Sequence, residues 1–242
     1  MAARAAAMVR RLSALEEGPI RARAAARHLA RLPPEEAARL LAALMAKGTS
    51  SARALAAVGQ AILDPRGRLS YEWKASLYAA ATALELPQVA ALLLAPAPQR
   101  AFEEPRDKAD PRLAHLTLGH KKALARLQRD PDFMARLAAE GEPAVVRELL
   151  RNPLLTEPVA ARIAARRPVR PQTLRCLFED RRWRARPAVR RALVRNPFVE
   201  TEIALQIVPT LSVQELAEVA ADGSLHPAVR SLAARLAEGR AG

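Results

Sequence analysis

Cysteine is almost missing from this 242-residue chain, and Cys176 alone rules out an internal disulfide framework or any site built from several thiolates. Aromatic residues make up only 3% and glycine only nine positions. With β-branched residues also sparse, a β-sandwich, a barrel or a nucleotide-binding βαβ fold is excluded as the expectation. Long apolar runs are missing too. The longest, Val89 to Pro98 and Leu77 to Leu84, fall short of the roughly 18 residues that a membrane-spanning helix needs. The first fifteen residues hold Arg4, Arg10 and Arg11 and no acid, but no apolar core with a small-residue cleavage site follows. Met8, Val9, Leu12 and Leu15 instead fit an amphipathic first helix. The expectation is a soluble, cytoplasmic protein. No Gly-rich phosphate loop, Gly-x-Ser-x-Gly elbow, His-Glu-x-x-His or calcium loop occurs.

What remains is alanine, leucine and arginine, all strong helix formers, in a chain that is half apolar. The expected fold class is all-α. Helical segments are spaced by Pro, Gly and Asn: residues 3–16, then 20–31 ending before Pro33-Pro34, then a helix opened by Pro34-Glu35-Glu36 and stopped by Gly48. Ser50 or Ser51 caps a helix carrying Leu55, Val58 and Ile62, which Asp64-Pro65 ends. Ser70 caps the next, and a short apolar helix lies near 87–94. From Pro96 to Pro111 there are four prolines and alternating charges without apolar periodicity, which reads as a linker. The expected domains are 1–95, a helical domain or divergent cap, and 112–242, joined by 96–111.

An internal repeat dominates the second region. Pro143-Ala144-Val145-Val146-Arg147-Glu148-Leu149-Leu150-Arg151-Asn152-Pro153 recurs 44 residues later as Pro187-Ala188-Val189-Arg190-Arg191-Ala192-Leu193-Val194-Arg195-Asn196-Pro197, with eight of eleven positions identical. Val159, Ala160 and Ile163 match Ile203, Ala204 and Ile207, and Leu174 to Asp180 match Leu216 to Asp222 after a connection two residues shorter. Pro227-Ala228-Val229-Arg230 starts a partial copy, and Arg129-Asp130-Pro131 marks a degenerate earlier one. Each unit is about three short helices. Asn152 and Asn196 are expected to end a helix in the left-handed conformation, with the next proline beginning another.

The Pro-Ala-Val-Arg opening and the Arg-Asn-Pro corner resemble bacterial HEAT/armadillo-type and leucine-rich-variant repeats over residues 112–242. The resemblance implies a right-handed α-solenoid of short antiparallel helices that binds macromolecules along a helix face. Some leucine-rich-variant members carry a cysteine-ligated cluster, which this chain lacks the cysteines to hold. HEAT-like DNA glycosylases are a further relative in fold, and none of their functional residues aligns here.

The net charge is +14, and residues 151–200 alone carry +9. Between Arg166 and Arg195 stand eleven arginines against Glu179 and Asp180. Arginine's planar fork pairs bidentately with carboxylate or phosphate. Arg147 with Arg151, Arg162 with Arg166, and Arg191 with Arg195 are four apart, so each pair projects from one helix face. Arg181-Arg182-Trp183-Arg184-Ala185-Arg186 replaces the shorter Gly223-Ser224-Leu225-His226 of the next copy. Either Trp183 stacks on a ligand while these arginines hold anions, or it plugs the core between units. With Arg167, Arg170 and Arg190 they make up the candidate partner-binding set. The stripes have a plainer reading as solvated helix faces.

His28, His115, His120 and His226 read as surface or capping residues, and Cys176 as a core or near-surface thiol. No catalytic residue, cofactor or metal site is expected. The adjacent acids Glu16-Glu17, Glu35-Glu36 and Glu103-Glu104 lie at helix ends or in the linker. The functional expectation is a non-catalytic scaffold that captures an acidic protein electrostatically on an arginine-lined face and docks it along the repeat stack. The alternative is binding to the DNA backbone, with an enzyme as a third class.

Overall fold

A computed structural model describes residues 1–16, 18–64, 67–103 and 110–241. Glu17, Pro65, Arg66 and Gly242 lie outside the described residues, as does 104–109, the middle of the expected linker with Glu104. Among the described residues the regular elements are helical and no strand occurs. None of these helices is long and apolar enough to cross a membrane.

The chain begins with α1 (Ala2–Ser13), α2 (Gly18–Leu29), α3 (Pro34–Ala46), α4 (Ala52–Leu63), α5 (Tyr71–Ala83) and α6 (Pro87–Ala91). It continues with α7 (Leu118–Leu127), α8 (Pro131–Ala139), α9 (Pro143–Leu150), α10 (Glu157–Ala165), α11 (Pro171–Glu179) and α12 (Pro187–Val194). Last come α13 (Thr201–Ile207), α14 (Val213–Ala221) and α15 (Pro227–Ala241), with 3-10 turns at Gly48–Ser51 and Val208–Thr210. Two compact units result: Met1–Pro96 with Ala204–Gly242, and Ala97–Ile203. The tail of the expected repeat region, 204–242, therefore groups with the N-terminal helices.

The three-helix repeat is visible in the elements. Helices α9, α10 and α11 correspond to α12, α13 and α14, and Pro227 opens α15 as Pro143 and Pro187 open α9 and α12. Proline stands in the first turn of α8 through α12, where a missing N–H removes a donor that would otherwise need a cap. Helices of eight to ten residues are too short to persist alone. They pack in two rows: α7 on α9 and α9 on α11, α8 on α10 and α10 on α12. Met134, Leu137, Leu149, Ile163, Leu177 and Leu193 fill the space between them, and each such side chain contributes about 1.5–3 kcal/mol when fully buried.

The corners differ from expectation. Among the described residues only Glu85 is a non-glycine with positive φ, so neither Asn152 nor Asn196 is left-handed. Their side chains are buried and bonded instead. Asn152 Nδ2 donates to Ala125 O (2.9 Å) and Gln128 O (2.8 Å) at the end of α7. Asn196 Nδ2 donates to Ala164 O (2.7 Å) and Arg166 O (2.9 Å) at the end of α10. Each Oδ1 accepts the amide two residues on, from Leu154 and Phe198. The prolines lie inside these turns and do not start the next helix. Asp110, Asp130, Asp180 and Asp222 make the same local turn, accepting from Arg112, Asp132, Arg182 and Ser224. The amide is the variant that adds the long-range bonds, because only it carries donors.

In the other unit α3 is central, packing on α1, α5, α6 and α15, with Leu40, Leu41, Leu44 and Met45 sealed from solvent. Ser51 does not cap α4. It is buried, and its hydroxyl donates to Leu44 O and Gly48 O at the end of α3. Ser70 does cap α5, accepting from the Trp73 amide. Gly59 is required by close approach: a Cβ there would meet Gln206 Cβ at 2.9 Å, while Gln206 Nε2 donates to Leu92 O. The same unit is tied by Arg240. Its guanidinium donates to Met45 O, Pro209 O and Leu211 O, so a cation sits at the negative end of α3, although burial pushes its pKa down.

Asn196→Ala leaves two buried carbonyls unpaired and is expected to lower unfolding free energy by roughly 2–3 kcal/mol in urea melts. Arg240→Ala, which strips the acceptors around Met45, is expected to lose a similar ~2–3 kcal/mol by the same measurement.

Candidate interaction surface

The Asn196 corner brings helix ends together. Asn196 joins the end of α12 to that of α10, and Arg167 Nη2 donates to the Arg195 carbonyl across the same gap. Arg162, Arg166, Arg167, Arg191 and Arg195 therefore come from two adjoining helix ends. Arg162, Arg166, Arg167 and Arg191 are exposed and Arg195 half-buried. Arg162 and Arg191 lie in the last turns of their helices, where the macrodipole favours a cation. Arg162 and Arg166 pair with no carboxylate among the described residues.

Around the Asn152 corner the arginines are engaged. Buried Glu148 accepts from Arg126 at 2.8 Å and from Arg151 at 3.5 Å, and the Arg126 guanidinium holds its carboxyl below the usual range. Arg147 Nη2 reaches Cys176 Sγ at 3.8 Å. Burial pushes that thiol up, so it stays protonated at neutral pH. Arg182 donates to the carbonyls of Asn152 (3.1 Å) and Leu155 (2.7 Å).

Trp183 settles between its two readings. It is 1% exposed, its Nε1 donates to Leu150 O at 2.9 Å, and the Arg182 guanidinium covers its ring at 4.3 Å from the centroid. It is a core plug, and the expectation that it stacks on a ligand is corrected. Bulk explains the choice: indole fills the place that Leu113 and Leu225 take three residues after their own corner aspartates, and its N–H satisfies a helix-end carbonyl.

Other members of the expected set are drawn into ion pairs. Arg170 is half-buried, binds Glu142 at 2.9 Å and lies 5.9 Å over Phe102. Arg186 reaches Glu157 at 3.8 Å. The neighbouring Arg175 is surrounded by Glu179, Glu200 and Glu202. Arg181 is exposed, and Arg184 and Arg190 are half-buried. The fourteen residues thus do not form one free face. Glu148 is close in sequence to Arg151, but the acids across from Arg170, Arg175 and Arg186 lie more than 20 residues away, beyond the reach of local charge counting.

Sequence reasoning missed a second cationic group. His28, read as isolated, sits among Arg4, Arg11 and Arg31, brought together by α1 and α2. Seven arginines in the first 31 residues, against only Glu16 and Glu17, were the available signal, but the helix contacts that unite some of them around His28 are not local. Among the described residues no three His, Cys, Asp or Glu side chains are grouped to hold a metal ion. Compared with protein-family models, curated proteins and solved structures, the chain matches none.

In a Trp73→Phe variant Trp183 is the sole tryptophan, and its emission is expected to be blue-shifted and resistant to iodide quenching. Trp183→Ala should cost about 3–5 kcal/mol of stability in denaturant melts. Emission typical of exposed indole would contradict the buried plug.

Proposed function

We propose that this chain is a non-catalytic HEAT/armadillo-like scaffold, its repeat helices stacked as a right-handed α-solenoid, that binds an acidic segment of a protein partner. The recurring three-helix unit, the paired rows of short helices and the buried corner asparagines support the architectural reading. One observation carries the binding reading: Arg162 and Arg166 stand exposed and without a carboxylate partner among the described residues, at helix ends shared with Arg167, Arg191 and Arg195. Guanidinium groups so placed form charge-assisted bonds with carboxylates at little reorganisation. Burial of Trp183 removes an aromatic platform, which argues against stacking of single-stranded bases. Acidic protein therefore ranks ahead of single-stranded nucleic acid, and the DNA backbone, which needs no aromatic platform, stays the alternative.

The test is fluorescence anisotropy with a labelled poly-glutamate peptide and a labelled DNA duplex, at about 50 and about 200 mM salt. The peptide is expected to bind in a salt-sensitive manner, and Arg162→Glu with Arg166→Glu to weaken it by about tenfold with unchanged circular dichroism. Tighter binding of the duplex, lost in the same variant, would replace the protein partner with nucleic acid. Equal peptide affinity in wild type and variant would remove this surface altogether.

A further inference from the structure

Helices α1, α2 and α3 enclose a cavity of about 390 Å³, within the roughly 300–1,000 Å³ typical of small-molecule sites. Its composition divides by height. Met8, Leu12, Leu32 and Leu40 supply an apolar floor, and Met8, Leu12 and Leu40 are buried. Arg4, Arg11, Arg27 and Arg31 supply the rim, with His28 among them.

Most of the rim's charge is uncompensated. Glu36 is the single acid lining the cavity, and it is held by Arg4 at 2.5 Å. Arg11, Arg27 and Arg31 are exposed and pair with no carboxylate among the described residues. A merely solvated helix face spreads its cations outward over water and closes its apolar side on the core. Here three guanidinium groups instead ring an open apolar hollow. Such a site matches a ligand with two parts, an anionic head for the rim and a hydrocarbon body for the floor. Three forks and an imidazole offer more donors than the two oxygens of a carboxylate accept, whereas a phosphate monoester presents three oxygens and close to two charges.

We propose that the α1–α3 cavity is a binding site for an organic phosphate with an apolar body, its phosphoryl oxygens held by Arg11, Arg27 and Arg31 and its chain lying on Met8, Leu12 and Leu40. This site lies in Met1–Pro96 and does not depend on the acidic-partner surface around Arg162. His28 reports on it. Burial first, and then the fields of Arg11, Arg31 and Arg4, hold the imidazole below its ordinary pKa, with Arg27 also on the rim and Glu36 facing in from α3. A bound dianion offsets those fields and raises it.

The experiment is calorimetric titration of the full chain with decyl phosphate below its micelle concentration, alongside inorganic phosphate and the uncharged decyl maltoside, with His28 titrated by NMR in each case. Decyl phosphate is expected to bind saturably with one-to-one stoichiometry, at least about tenfold tighter than either control, and to move the His28 pKa upward. Arg11→Gln with Arg31→Gln, both exposed and so tolerated by the fold, should lose that affinity while keeping the native melting transition. Inorganic phosphate binding as tightly as decyl phosphate would remove the apolar part of the site, and decyl maltoside binding as tightly would remove the anionic part. Absence of saturation, an unmoved His28 or wild-type affinity in the double variant would each overturn the proposal.

Discussion

The repeat unit depends on how a buried helix end is closed. Each short helix leaves carbonyls without partners, and water is excluded where the rows pack. Asn152 and Asn196 answer this with one side chain facing two ways. The amide nitrogen satisfies the end of an earlier helix, and the oxygen fixes the turn that launches the following segment. The spacing of the helices is therefore coupled to the identity of one residue per corner. Aspartate serves where only the local turn is needed.

The same demand explains why so much arginine is structural. Arg182 and Arg240 lie along main-chain carbonyls, and Trp183 adds its N–H to another. Long side chains with several donors suit helix ends that lack a glycine cap, and only nine glycines are present. Carboxylates hold Arg126, Arg170 and Arg175. A net charge of +14 is thus a poor measure of the charge on offer to a partner. Among the described residues, two groups of cations without carboxylates carry the binding proposals, Arg162 with Arg166, and Arg11 with Arg27 and Arg31.

Much of the fold was legible, and the reasons differ by residue. Helix starts at Pro143 and Pro187 follow from proline's own geometry, so the Pro-Ala-Val openings sufficed. The Arg-Asn-Pro corners were found in the right places with the wrong conformation. A left-handed asparagine is a local solution, whereas the actual acceptors lie 24 to 32 residues upstream. Ser51 misled for a similar reason, since the carbonyls of α3 outbid the amides of α4. For the candidate surface, helical spacing paired Arg162 with Arg166, but α10 ends at Ala165 and Arg166 is extended, so the two share a helix end and not a helix face. Which arginines carry a counter-ion was not legible, because Arg175 meets Glu200 and Glu202 only after the chain has turned twice.

The unit Ala97–Ile203 interrupts the sequence of the other, and its two ends are tied to each other. Thr201 Oγ1 donates to Ala97 O at 2.9 Å, and the Arg100 amide donates to Pro197 O at 3.0 Å. Entry and exit of this stretch are thus side by side, the geometry of an inserted domain. For a ribosome-bound chain this imposes an order of events: the interrupting block has all its residues available first, while the surrounding block must wait for α14 and α15 before its core is complete. Until then the apolar side of α3 lacks one of its covering helices, a window in which premature termination would leave greasy surface bare.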